Sequence, residues 1–266
     1  MRRAMSKYDV SGTHSRMPLR QTQMDAVAAY DQIAPGFREL SERRRAYLDA
    51  VEALIISKIS KQAKSLLDVG AGDGRRGLRI ANATGIKEIT LTEPSSRMRA
   101  QIPQEYETWD VTMQDLPPRD QRFDCVLCLW NVLGHVPASE QRLTALKNLA
   151  NYCSESGVIF LDVLNRYNIL ECGLFTVAGR WLRDTLLPSE DNGNVDVTWN
   201  ANGNVVHAHG YVFTPKEMNG LFEKAGLSIV ERIVLDYRTG QRRQWITFGN
   251  TLYVLRPKIY SNQSLR

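Results

Sequence analysis

An apolar strand that runs straight into three alternating glycines and then into a helix constrains this 266-residue chain more than any other feature. The segment reads Leu66-Leu67-Asp68-Val69-Gly70-Ala71-Gly72-Asp73-Gly74, followed by Arg75-Arg76-Gly77. Glycine is needed in such a loop because the backbone must turn tightly and let a ligand approach to contact distance. Glu93 ends the next apolar stretch 19 residues after Gly74, where a carboxylate can accept both ribose hydroxyl protons of an adenosine.

The loop is compatible with two kinds of adenosine ligand. Gly72-Asp73-Gly74-Arg75-Arg76-Gly77 also fits the GxGxxG pattern of dinucleotide sites. The charges separate the two. Asp68, two residues before the first glycine, and Asp73 inside the loop would repel a pyrophosphate in a partly dry site, where like charges cost far more than in water. The same carboxylates favour a sulfonium and an ammonium, the cationic groups of S-adenosylmethionine, and that cofactor is the one the segment predicts.

Periodicity places the loop in an α/β frame. Strands are expected at 65–69, 88–93, 123–129, 157–164, 227–237 and 245–256, with a weaker one at 106–112, and helices at 75–83, 95–101, 139–153 and 215–225. Such alternation predicts a doubly wound, mostly parallel sheet of seven strands covered on both faces. The last two strands follow one another without a helix, so an antiparallel edge hairpin is expected there. Residues 21–60 read as an N-terminal helical cap, broken at Pro35-Gly36, and 61–266 as the main domain. Within it, 165–212 interrupts the rhythm with turn formers, two tryptophans and two Asn-Gly steps. We read it as a lid insertion, part of it a hairpin closed at Asn202-Gly203.

The net charge of +5 is not spread evenly. Residues 1–20 hold Arg2, Arg3, Lys7, Arg16 and Arg20 against Asp9, leaving the body of the chain nearly neutral, so 1–20 reads as a disordered basic tail. A neutral body without a basic stripe argues against a nucleic-acid partner. No apolar run nears the roughly 18 residues of a membrane span, and the N-terminus has no apolar core of a secretory signal, so a cytoplasmic location is expected. Cys125 and Cys128 form a CxxC inside a strand, where positions i and i+3 face opposite sides; no metal site is expected there. His207 and His209 share one face of a probable strand but have no third ligand at suitable spacing.

From about Tyr30 to Pro257 the chain resembles the class I S-adenosylmethionine-dependent methyltransferase family, whose first motif is an acidic residue, any residue, then GxGxG. The resemblance implies that Asp68, Gly70, Ala71, Gly72 and Gly74 line the methionine half of the cofactor. Glu93 would hold the ribose, with Pro94 and Met98 against the sugar and base. Thr112 and Met113 match the adenine-binding pair; the family often has Asp where Thr112 stands, and Asp110 lies close by. Met98 and Met113 suit ordinary core packing equally well.

Beyond the strand 123–129, Trp130-Asn131-Val132-Leu133-Gly134-His135 is similar to a segment of the glycine N-methyltransferases, with an Asn and a His four apart. By that match the Leu129 carbonyl would accept from the cofactor ammonium, His135 would touch the cofactor or order the site, and Asn131 would face the methyl acceptor. Arg43 matches the arginine that pairs with the cofactor carboxylate, and Tyr30 and Phe37 resemble the family's cap over the donor methyl. Leu164 stands where the glycine enzymes carry their substrate-binding arginine, which makes glycine itself a poor candidate. His135 also suits a helix-start histidine satisfied by backbone, and Tyr30 and Phe37 suit simple packing. The expected activity is methyl transfer to N or O of a small-molecule acceptor. An RNA methyltransferase and a non-catalytic cofactor-binding module are the alternatives, and the sequence leaves oligomeric state open.

Overall fold

In a computed structural model the described residues are 25–201 and 203–258. The basic segment 1–20 and Asn202 of the expected hairpin turn lie outside them. The chain enters through α1 (Ala26–Ile33), α2 (Phe37–Glu42) and α3 (Arg45–Lys58), with Ala34–Gly36 as a 3-10 turn at the expected Pro-Gly break. Alternation then begins: β1 (Ser65–Val69), α4 (Arg75–Thr84), β2 (Glu88–Thr92), α5 (Ser96–Arg99), β3 (Glu107–Trp109), β4 (Phe123–Cys128), α6 (Ser139–Tyr152) and β5 (Cys153–Val163). The insertion contributes α7 (Ile169–Cys172), α8 (Leu174–Leu186), β6 (Asn194–Ala201) and β7 (Asn204–Tyr211). The chain closes with α9 (Pro215–Lys224), β8 (Leu227–Leu235), the two-residue β9 (Arg242–Arg243) and β10 (Asn250–Pro257).

The main sheet runs in the order β3-β2-β1-β4-β5-β10-β8-β9. The β3-β2, β2-β1, β1-β4 and β4-β5 pairs are parallel, and β10 is antiparallel to both neighbours. The doubly wound class expected from the sequence is the observed one, with β9 as a short addition at one edge. β8 and β10 form the antiparallel pair expected at one end of the sheet, with β10 on its inner side, between β5 and β8. Its burial explains this: Asn250 to Leu255 are all covered, which an edge strand could not achieve.

All five residues of β1 are buried, as a strand covered on both faces requires. One side packs Leu67 and Val69 with Val126, Leu146, Leu161 and Phe222; the other packs Leu66 with Leu127, Phe160, Val51 and Ile55 of α3. The chain winds outward in both directions from β1 and β4, so the crevice at their carboxyl ends is where a ligand is expected.

A third apolar cluster stands over that crevice. Ala29 and Ile33 of α1 pack against Val197, Trp199, Val206 and Ala208 of the β6–β7 hairpin. The N-terminal helices and the insertion therefore share one cover.

Candidate functional site

A cavity of about 270 Å³ opens at the carboxyl ends of β1, β2 and β4 beneath α1. Its lining includes Asp68, Gly70, Ala71, Gly72, Glu93, Pro94, Thr112, Met113, Leu129, Tyr30 and His135. The turn after β1 is left-handed at Gly70, with φ of 70°, where a Cβ would lie 2.7 Å from the Val132 side chain. Only glycine brings the loop that close. Gly77 does similar work one turn into α4: a Cβ there would lie 2.4 Å from Asp68 Oδ2.

The two carboxyls differ in their surroundings. Asp68 is buried against the cavity and makes no hydrogen bond or ion pair among the described residues. Burial lifts its pKa to about 7, opposed by the nearby Arg76 and reinforced by Asp73. Glu93 accepts from the backbone N–H of Gly72 and of Ser95, each at 2.8 Å. Those bonds and Arg99 favour its charge, yet burial prevails and its pKa also rises to about 7. Asp73 is taken up by Arg75, whose Nε lies 2.7 Å away.

The strand end at β4 is strained. Trp130 and Asn131 both adopt left-handed backbone, with φ of 59° and 64°. Asp162 at the end of β5 holds them there: its Oδ2 accepts from the Trp130 N–H at 3.1 Å and its carbonyl from the Asn131 N–H at 3.0 Å. Tyr47 of α3 donates to the other Asp162 oxygen at 2.5 Å, and the Trp130 indole donates to Tyr237 at 2.9 Å.

Four predicted residues lie away from the cavity. Both ends of the Asn131 amide are engaged: Nδ2 donates to the Tyr211 carbonyl at 3.1 Å and Oδ1 accepts from the Leu164 N–H at 3.0 Å. It braces the ends of β4, β5 and β7 together. The Arg43 guanidinium binds Glu39, one turn earlier, and the Asn200 carbonyl at 3.1 Å. Gly74 starts α4 with φ of 73° and faces Ile102 and Leu91. Met98 is fully buried beneath Gly72. Asp110 is exposed in an ion pair with Arg99.

Three features escape the sequence reading. Arg76 lines the cavity, its guanidinium 5.5 Å from the Trp130 ring, and forms no hydrogen bond or ion pair among the described residues. The second is Trp130, whose ring forms part of the wall. The third is Trp199, which packs on Tyr30 and His135. His207 of β7 meets Thr198 and His209 lies 4.0 Å from Asp196; no cluster of three metal-ligating side chains forms among the described residues.

A buried, unpaired carboxyl, a second carboxyl behind a glycine turn and one unpaired guanidinium fit a ligand that carries both cationic and anionic groups. A family model described as a methyltransferase domain matches residues 40–232.

The chain belongs to that methyltransferase family.

The methyltransferase also shares its fold with solved enzymes. These include the CcbJ methyltransferase from Streptomyces caelestis, 17% identical with a TM-score of 0.60 over 79% of this chain and 90% of that one. An S-adenosylmethionine-dependent methyltransferase from Clostridium acetobutylicum is 11% identical with a TM-score of 0.59, covering 84% and 98%. The sugar N-methyltransferase KedS8 from Streptoalloteichus is 17% identical with a TM-score of 0.54, covering 91% and 97%. An uncharacterized protein of Methanocaldococcus jannaschii is 26% identical over 143 residues, and the match spans about half of each chain. The methyltransferase is an enzyme of the class I type, and S-adenosylmethionine is its cofactor. No helix among the described residues is long and apolar enough to cross a membrane.

Proposed function

We propose that the methyltransferase methylates a nitrogen of a small-molecule acceptor, held between Tyr30 and His135 under the α1 and β6–β7 cover. The observation that carries this reading is the wall opposite the carboxylates. There the Tyr30 hydroxyl lies 3.1 Å from His135 Nε2, and Trp199 backs both rings. In this reading the insertion 165–212 is the lid and residues 25–60 are the cap.

When bound, the cofactor supplies a methyl group on a sulfonium, already an excellent leaving group. The remaining work falls to positioning and exclusion of water, which can contribute about 7–11 kcal/mol. Asp68 and the Leu129 carbonyl face the cofactor's cationic end, and Glu93 takes the ribose hydroxyls on lone pairs its backbone bonds leave free. Gly70, Ala71 and Gly72 allow close approach, while Pro94, Thr112 and Met113 flank the adenine. Arg76, rather than Arg43, takes the cofactor carboxylate.

His135 favours nitrogen over oxygen as the acceptor. Burial lowers its pKa to about 4, so it is neutral at physiological pH and adds no positive charge beside a sulfonium. An imidazole that weak is a poor base for a hydroxyl, whereas an amine arriving unprotonated needs only orientation. Tyr30 and His135 hold the amine's N–H so that its lone pair points at the donor methyl, and the proton on the methylated product is then lost to solvent. Buried, unpaired Cys125, Cys128 and Cys153 support a reducing, cytoplasmic setting.

The test is incubation with labelled methyl donor and cell extract split into small metabolites, RNA and protein. Label in a metabolite that gains one N-methyl group is expected. Label confined to RNA, or S-adenosylmethionine binding without transfer to any fraction, would refute the reading.

A further inference from the structure

The helix α8 is turned inside out. Its inward side carries Arg180, whose guanidinium donates to the Arg166 carbonyl at 3.1 Å, and Asp184, which pairs with Arg166 at 3.0 Å and accepts from Tyr167 at 2.7 Å. Val177 is its one buried apolar residue. Its outward side carries Leu174, Phe175, Trp181, Leu182 and Leu186, with Leu187 just beyond, at exposures from 51% to 91% among the described residues. At 100° per residue, Leu174, Phe175, Ala178, Gly179, Trp181, Leu182, Thr185 and Leu186 form one continuous face with no charge on it. At about 200 Å² for a large apolar residue, the six large side chains leave on the order of 800 Å² uncovered. That exceeds the largest apolar patch of a typical monomer, roughly 300–600 Å², and matches one partner's share of a standard interface, about 800 Å².

We propose that α8 pairs with α8 of a second copy, antiparallel, across a two-fold axis at the level of residue 180. The sequence of the face is complementary to itself in that arrangement. Phe175 lies opposite Thr185, Ala178 opposite Leu182 and Gly179 opposite Trp181, with Leu174 against Leu186 at the ends. Three of the four pairings set a large side chain against a small one, as interdigitated helix packing requires, and a two-fold interface must be made of one self-matching patch. The inward ion pairs with Arg166 fix the rotation of the helix, so the apolar face cannot roll back onto its own domain. A lipid surface would be served by apolar area alone and would need no such alternation of large and small.

Sedimentation velocity of the full chain across a micromolar concentration series tests the pairing. The wild type is expected at twice the chain mass. Phe175→Glu and Leu182→Glu should each weaken the dimer at least about 100-fold, because the symmetry buries two unpaired carboxylates. Compared at a dilution at which the wild type is itself monomeric, their thermal midpoints should match the wild type, since both side chains face solvent in one copy. Ala178→Trp adds apolar surface yet should also break the dimer, by colliding with Leu182. A wild type that is monomeric throughout overturns the proposal. So does a dimer that survives both glutamates, or one that Ala178→Trp strengthens. Binding of a monomer to phosphatidylcholine–phosphatidylserine vesicles, lost in Leu182→Glu, would assign the face to a membrane instead.

Discussion

The Tyr30 hydroxyl meets His135 Nε2 at 3.1 Å, and the two rings stand edge to face with centroids 5.3 Å apart. Residues 105 apart in sequence thereby join α1 to the turn after β4 at the wall of the cavity. Tyr30 supplies the side-chain hydrogen bond that orients the His135 ring, whose other side faces the His209 backbone.

Removing that bond should affect transfer more than cofactor binding. Tyr30→Phe keeps the ring packing on Trp199 and deletes only the hydroxyl. We expect kcat to fall roughly 10- to 100-fold while the S-adenosylmethionine Kd stays within about twofold. Steady-state kinetics with the identified acceptor and calorimetry with the cofactor check this. A weakened Kd with unchanged kcat would place Tyr30 on the cofactor instead.

Cofactor affinity should depend on pH near neutrality. Asp68 and Glu93 both have pKa values of about 7 in the ligand-free enzyme, and a bound sulfonium favours their ionised forms. Binding near pH 7 therefore releases protons, and affinity weakens as pH falls below 7, by up to about tenfold per unit for each proton released. The raised pKa values also stabilise the ligand-free fold below the usual carboxyl range, and that contribution is lost as pH rises through about 7. The thermal upshift caused by the cofactor should accordingly be larger at pH 8 than at pH 6. Calorimetry in buffers of different ionisation heat counts the protons, and a Kd constant from pH 6 to 8 would exclude this role.

What could be read from the sequence was what local geometry dictates. Gly70 and Gly72 announce a left-handed turn whatever surrounds them, and Asp68 and Glu93 sit at strand ends whose register follows from apolar patterning. Side chains whose roles depend on partners distant in sequence were not legible. Asn131 follows β4 as the pattern suggests, but nothing local shows that Tyr211 and Leu164 engage both ends of its amide. The α8 helix was missed because its apolar residues follow helical spacing inside a segment dense in turn formers, and its polar side is the buried one.

Arg76 and Arg43 can be separated directly. Arg76 lines the cavity with no ion pair among the described residues, whereas Arg43 is bound to Glu39 and the Asn200 carbonyl. Losing one charged hydrogen bond to a carboxylate costs about 1.5–3 kcal/mol, or roughly 10- to 150-fold in affinity. Arg76→Gln should weaken S-adenosylmethionine binding by that factor, while Arg43→Gln should stay within about twofold. Decarboxylated S-adenosylmethionine offers a control, because it should bind wild type and Arg76→Gln alike. The reverse ranking would return the cofactor carboxylate to Arg43.

Asn131→Ala should act on stability before it acts on chemistry. The substitution leaves the Tyr211 carbonyl and the Leu164 N–H unpaired in a buried site and forces alanine into a φ of 64°. Together these cost roughly 2–4 kcal/mol. Asn131→Gly removes the backbone strain but not the unpaired groups, so it should recover about 1 kcal/mol of that loss. Chemical denaturation of the two variants measures the difference, and kcat per folded molecule should change less than stability does. An Asn131→Ala enzyme as stable as wild type but with collapsed kcat would instead put the amide against the methyl acceptor.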